Sequence, residues 1–90
     1  MIPDLEDVKA AIRGKVIELA AALDVDASAL QDDDIIPATG YLDSAAIMEL
    51  VVWFDGRYRL QLTEAEINID NLGSVDAMAD FLVRRSAPGG

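Results

Sequence analysis

The sequence predicts an all-α fold: a small four-helix bundle of three main helices and one short helix, with a long first loop. Three observations carry this. Large apolar residues recur every three or four positions in separate segments, the period of a helix with one face on a core. Capping residues stand at the starts of those segments. No segment shows the apolar–polar alternation of a half-buried strand.

The first helix is expected from about Pro3 to Leu23, because Leu5, Val8, Ile12, Val16, Leu19 and Leu23 fall on one stripe. Pro3 suits a first turn, where its missing N–H would have no partner. Asp4, Glu6 and Asp7 lie near the positive end of the helix dipole. A long connection follows, Asp24 to Asp43. Periodicity fades there, and Asp32-Asp33-Asp34, Pro37, Thr39 and Gly40 collect. A turn of helix is expected at Ala27–Leu30, and Ile35, Ile36, Tyr41 and Leu42 are expected to pin the loop to the core. Loops of this length in compact domains are often functional.

Asp43 and Ser44 are both good N-caps for a second helix running from Ala45 to about Arg59. Ile47, Leu50, Val51, Phe54 and Tyr58 share the arc expected to face the core. Ser44, Met48, Val52 and Asp55 follow a neighbouring stripe nearer to solvent, with Glu49 beside it. Trp53, on the flank, is expected to be partly buried against the first loop, with partner contact as the alternative. Gly56 costs the helix ~1 kcal/mol against Ala. Leu60-Gln61-Leu62 reads as short and extended. Thr63 with Glu66 three residues on reads as the start of a brief third helix ending near Asp70. Gly73-Ser74 opens the last helix, with Val75, Met78, Ala79 and Leu82 inward, Phe81 beside them, and Arg84 and Arg85 at its negative end. Residues 1–86 are expected to form one domain and 87–90 a flexible tail.

Composition narrows the function. The chain has 90 residues, 7 basic and 17 acidic, for a net charge of −10. Such a charge repels phosphate backbones and anionic lipid, so neither nucleic acid nor membrane is an expected partner. With no cysteine and no histidine, there is no thiolate, no Cys-based zinc site and no Ser–His–Asp triad. The expectation is a cytoplasmic protein that is not an enzyme. No apolar run reaches the ~20 residues of a membrane span, and the acidic N-terminus does not read as a signal peptide. The run Asp32-Asp33-Asp34 fails as a calcium loop, since its sixth and twelfth positions would be Pro37 and Asp43 where glycine and glutamate are needed. No metal is expected. Gly89-Gly90 ends the chain as ubiquitin-like modifiers end, but those need strands.

Asp43-Ser44 is the most informative pair. A serine at a helix start is ordinarily a cap. Here an acidic loop delivers Gly40-Tyr41-Leu42-Asp43-Ser44 to an apolar helix. A phosphate on that oxygen would be favoured by the free N–H groups and the dipole. No histidine is present to activate it, so it reads as an acceptor modified by another protein.

On these residues the chain resembles the acyl carrier and peptidyl carrier proteins, whose attachment motif is Asp-Ser-Leu at the start of the second helix. Asp43 and Ser44 match, and Ala45 departs from the leucine. Gly-x-Leu-Asp-Ser is also similar to the form in D-alanyl carrier proteins. Glu49-Leu50-Val51, Tyr58, Leu62 and the segment Asn71–Ala77 extend the resemblance over about residues 5–85. It implies 4′-phosphopantetheine carried covalently on Ser44 and donated from coenzyme A by a separate phosphopantetheinyl transferase that uses magnesium. The cargo would be an acyl or aminoacyl thioester, so the missing thiol is the cofactor's. It also implies that Met48 and Val52 face partner enzymes, where Glu49 and Asp55 can meet basic residues. Packing into the core is the alternative for Met48 and Val52, and a merely solvated face for Glu49 and Asp55.

Ala45, Trp53 and the few acids of the second helix point toward a stand-alone carrier of a non-ribosomal peptide or polyketide pathway. An adenylating ligase or acyltransferase would load it, and downstream synthase or transferase domains would receive the cargo. A fatty-acid carrier is the alternative within the family, and a helical interaction module with Ser44 as a plain cap is the alternative outside it. A monomer is expected.

Overall fold

In the computed structural model, which describes residues 4–86, the chain forms α1 (Leu5–Ala21), α2 (Ile36–Thr39), α3 (Ser44–Tyr58), α4 (Ile69–Leu72) and α5 (Val75–Ser86), with a single 3₁₀ turn at Glu64–Glu66. The expectations at Pro3 and over 87–90 lie outside the described residues. Among the described residues there is no strand, and the fold is a small helical bundle.

Three long helices make the frame. Val8, Ile12 and Val16 of α1, Leu50 and Phe54 of α3, and Val75, Met78, Ala79 and Leu82 of α5 are almost wholly buried. At ~25 cal/mol per Å² of apolar surface, such side chains supply most of the drive to fold. α1 packs against both α3 and α5. Its Lys9 ammonium sits 2.9 Å from the Asp76 carboxylate of α5, which holds the lysine above its ordinary pKa.

Several expectations shift. α1 is shorter than Pro3–Leu23: Asp4 caps it, accepting from the Glu6 N–H at 2.9 Å, and it ends at Ala21. The end residues of the stripe, Leu5 and Leu23, overhang the core and are exposed. Ala27–Leu30 forms a turn and not a helix, with Ala27 and Leu30 buried. The helical turn in the loop is instead α2, with Pro37 near its start and Gly40 in the left-handed region (φ 78°) closing it. Ile36 and Leu42 are buried and Tyr41 is half-buried, but Ile35 is exposed. Consecutive residues entering a helix point about 100° apart, so α2 turns only one of the two isoleucines inward.

The loop is nonetheless stitched down. The Asp32 carbonyl accepts from the Asp76 N–H at 2.9 Å, and the Ile36 N–H donates to the Gly73 carbonyl at 2.7 Å. Arg13 of α1 pairs with the Asp32 carboxylate.

The segment after α3 also departs from expectation. Arg59 and Gln61 both adopt positive φ (52° and 54°), so Leu60-Gln61-Leu62 is not extended. The brief third helix is broken in two. Thr63 and Glu66 do form the reciprocal capping box, but it serves only the 3₁₀ turn. Asn68 then swings to an extended conformation (φ −148°), and its side chain caps α4 by accepting from the Asn71 N–H at 2.8 Å.

Candidate functional site at the start of α3

Gly40 turns the chain out of α2, and the Thr39 hydroxyl steadies the corner. It donates to the Ile36 carbonyl at 2.7 Å and accepts from the Tyr41 N–H at 3.2 Å. Leu42 drops into the core. Asp43 follows with extended backbone (ψ 177°), and its Oδ1 accepts from the Ala46 N–H at 2.8 Å. Ala46 is buried behind it, a core position the sequence reading did not include. With Asp43 acting as the cap, Ser44 becomes the first residue of the helix. It is exposed, and among the described residues its hydroxyl makes no hydrogen bond.

The stripe beyond Ser44 faces outward. Met48 is 51% exposed and Val52 64%, one and two turns along α3, and Glu49 is exposed beside them. The inward arc holds Leu50, Val51 and Phe54 fully and Ile47 and Tyr58 partly. The structure therefore leaves Asp43, Ser44, Met48, Glu49 and Val52 all accessible, with Ser44, Met48 and Val52 along one stripe of α3 and Glu49 on its flank. Asp55 sits apart from them in its engagement. It is half-buried, and its Oδ1 accepts from the Gln61 N–H at 2.7 Å, securing the turn that ends α3.

Trp53 is half-buried as expected, and it lines a surface hollow with Ala11, Gly14, Lys15 and Glu18 of α1. Its ring meets Tyr58 edge-on at 6.5 Å, and the Arg57 guanidinium lies 5.8 Å from its centre. The small residues Ala11 and Gly14 leave α1 open there.

Two further residues extend the apolar surface and were not singled out in the sequence. Ile67 and Ile69, flanking Asn68, are exposed at 39% and 57%. With Pro37, Ile47, Met48 and Leu72 they line a hollow of about 180 Å³ between α3 and α4. Two isoleucines in so short a segment, lacking helical partners, were the available signal.

Electrostatics around the site are one-sided. Residues 16–56 contain nine acids and no base. Part of that charge is structural: Asp32 pairs with Arg13, Asp34 accepts from the Gln31 N–H, and Asp26 accepts from Ser28, which lowers its pKa. Among the described residues no three acidic side chains converge as a metal site. No family model matches the chain, and neither a curated protein nor a solved structure matches it.

Proposed function

We propose that this chain is a stand-alone acyl or aminoacyl carrier protein, with 4′-phosphopantetheine on Ser44, serving a secondary-metabolite pathway of the non-ribosomal peptide or polyketide kind. The observation that carries the reading is a single serine, exposed at the first position of α3, whose hydroxyl is left uncommitted because Asp43 does the capping.

The residues fit such a group. A covalent arm needs an oxygen that another enzyme's active site can reach, and Ser44 is exposed. Asp43 fixes the start of the helix, so the hydroxyl stays outside the core. The sequence offers no histidine to deprotonate it, which assigns the base to the transferase. Met48 and Val52 give a visiting enzyme an apolar footing directly beyond the serine, and Met suits a surface that meets several partners. Glu49 and the surrounding acids favour partners with basic faces and give association a salt dependence. When bound, the arm supplies the thiol on which the cargo rides as a thioester. As a monomer, the carrier meets transferase, loading ligase or acyltransferase, and downstream synthase domains in turn, and the tether raises the local concentration of cargo at each.

Incubation with coenzyme A, magnesium and a promiscuous phosphopantetheinyl transferase tests this by intact mass. The wild type is expected to gain one arm and Ser44→Ala none. A wild type that stays unmodified favours the helical interaction module.

A further inference from the structure

The seven basic side chains are not used alike. Lys9, Arg13, Lys15, Arg84 and Arg85 each form an ion pair, to Asp76, Asp32, Glu18, Asp80 and Glu66 in turn. Arg57 lies against two rings, 5.8 Å from the centre of Trp53 and 5.7 Å from that of Tyr58. Arg59 is exposed, and among the described residues its guanidinium alone has no acid, hydrogen-bond acceptor or ring beside it, in a chain with 17 acids. Its nearest acid along α3, Asp55, has an oxygen committed to the Gln61 N–H at 2.7 Å.

Arg59 also stands where an arginine is costly. It closes α3 in the left-handed region (φ 52°, ψ 50°), the conformation that favours glycine. The turn needs only its backbone, since the Arg59 and Leu60 N–H groups both donate to the Asp55 carbonyl. Gln61 shares the conformation but brings no charge. Backbone strain that packing does not explain is a pointer to function. Position is the third observation. Seven residues past Val52, or two turns, the Arg59 Cα falls on the stripe of Ser44, Met48 and Val52, about 22 Å from Ser44 along the axis. Arg57 is carried about 140° round the helix from Val52. The accessible side of α3 is therefore acidic near Ser44, with Asp43 and Glu49, and carries a free cation at its far end. That separation exceeds the Debye length of about 8–10 Å in physiological salt, so the two ends act independently.

We infer that Arg59 is a docking residue that meets a carboxylate on the enzyme attaching the arm, and so fixes which way round α3 is seated. The inference rests on the carrier function proposed above. The attaching enzyme is singled out because it must reach the Ser44 oxygen itself and therefore seats on α3 directly; later partners act at the end of a long arm. Its complementary face sets basic residues against Asp43 and Glu49, apolar ones over Met48 and Val52, and an acid against Arg59. Seated in reverse, the same face would set acid on acid and base on base.

Steady-state transfer of the arm from coenzyme A by a broad-specificity phosphopantetheinyl transferase, with the full chain as the varied substrate, tests this. Arg59→Gly relieves the backbone, so its thermal midpoint is expected at or above that of the wild type. Its KM is nonetheless expected to rise ~3-fold with kcat unchanged, which marks lost docking and not lost chemistry or a damaged fold. Arg59→Glu is expected to raise KM ~10-fold at low salt, and high salt to erase the difference. Arg59→Lys keeps the charge and is expected to stay within ~2-fold of wild type. Arg57→Gln, off the stripe, is expected to leave KM unchanged. Equal KM values for wild type, Arg59→Gly and Arg59→Glu would overturn the inference while the carrier reading stood. So would a rise in Arg57→Gln as large as in Arg59→Gly, since net charge and not position would then decide. A wild type that accepts no arm would overturn the carrier reading, and this inference with it.

Discussion

Ser74 immediately precedes α5, is 6% exposed, and its Oγ accepts from the Ala77 N–H at 3.0 Å. Ser44 lies one step further into its helix, at the first position of α3, and the equivalent bond there is made by Asp43 to Ala46 at 2.8 Å. One serine is consumed by the backbone; the other is released from that duty by its neighbour and left on the surface. The difference teaches that a helix-start serine becomes available for chemistry when the preceding side chain caps in its place. An Asp-Ser pair is therefore a physical unit as well as a motif: the carboxylate accepts more strongly than a hydroxyl, and wins the cap.

Substitutions at the two helix starts separate the roles of the two serines. The largest effect is expected just before Ser74. Gly73→Ala forces a methyl group onto the Ile69 carbonyl and side chain and should cost about 2 kcal/mol in urea unfolding. Ser74→Ala removes a buried cap and strands the Ala77 amide, for about 1 kcal/mol. Asp43→Ala should cost a similar or slightly smaller amount, about 1 kcal/mol, whereas Asp43→Asn keeps an accepting oxygen and should stay within about 0.5 kcal/mol of wild type. Ser44→Ala should change stability by less than about 0.5 kcal/mol, since the hydroxyl supports nothing. If Ser44→Ala destabilised as much as Ser74→Ala, Ser44 would be a cap after all and the contrast would fail.

The smallest effect is a pH dependence at a third helix start. The Thr63 N–H donating to the Glu66 carboxylate holds that carboxyl below the ordinary glutamate range, helped by the Thr63 hydroxyl and Arg85. A carboxyl lowered in the folded state stabilises the fold above its unfolded pKa, and that contribution is lost as the pH falls through the folded value. The capping box should therefore loosen only on acidification below the usual glutamate range. Carboxyl-carbon NMR titration of Arg85→Gln should still find Glu66 lowered, because the Thr63 amide is the first cause. A return to the ordinary value would assign the effect to the ion pair.

Much of this arrangement is legible in the sequence because it is local. Caps act over three residues, so Asp43, Ser74 and the Thr63–Glu66 pair can be read directly. The inward faces of α1, α3 and α5 follow from spacing, apart from Leu5 and Leu23, whose burial depends on where neighbouring helices end. The outward exposure of Met48 and Val52 was less legible. α3 is apolar nearly all round, and only its placement against α1 and α5 decides which side stays open. The contacts that escaped the sequence join distant residues: Arg85 to Glu66 and Leu60, Asp32 to Asp76, and Ile36 to Gly73. The break at Asn68 is settled by its side chain serving both Ala65 and Asn71, a choice that propensity does not register.

In the proposed carrier, attachment of the arm is confined to one hydroxyl, at Ser44. Its most direct test is peptide mapping by tandem mass spectrometry after reaction with coenzyme A and the transferase, on wild type and on Ser74→Ala. A single added arm is expected on the Ser44 peptide in both proteins, with the Ser28 peptide of both and the Ser74 peptide of the wild type unmodified. An arm found on Ser28 or Ser74, or on no serine at all, would contradict it.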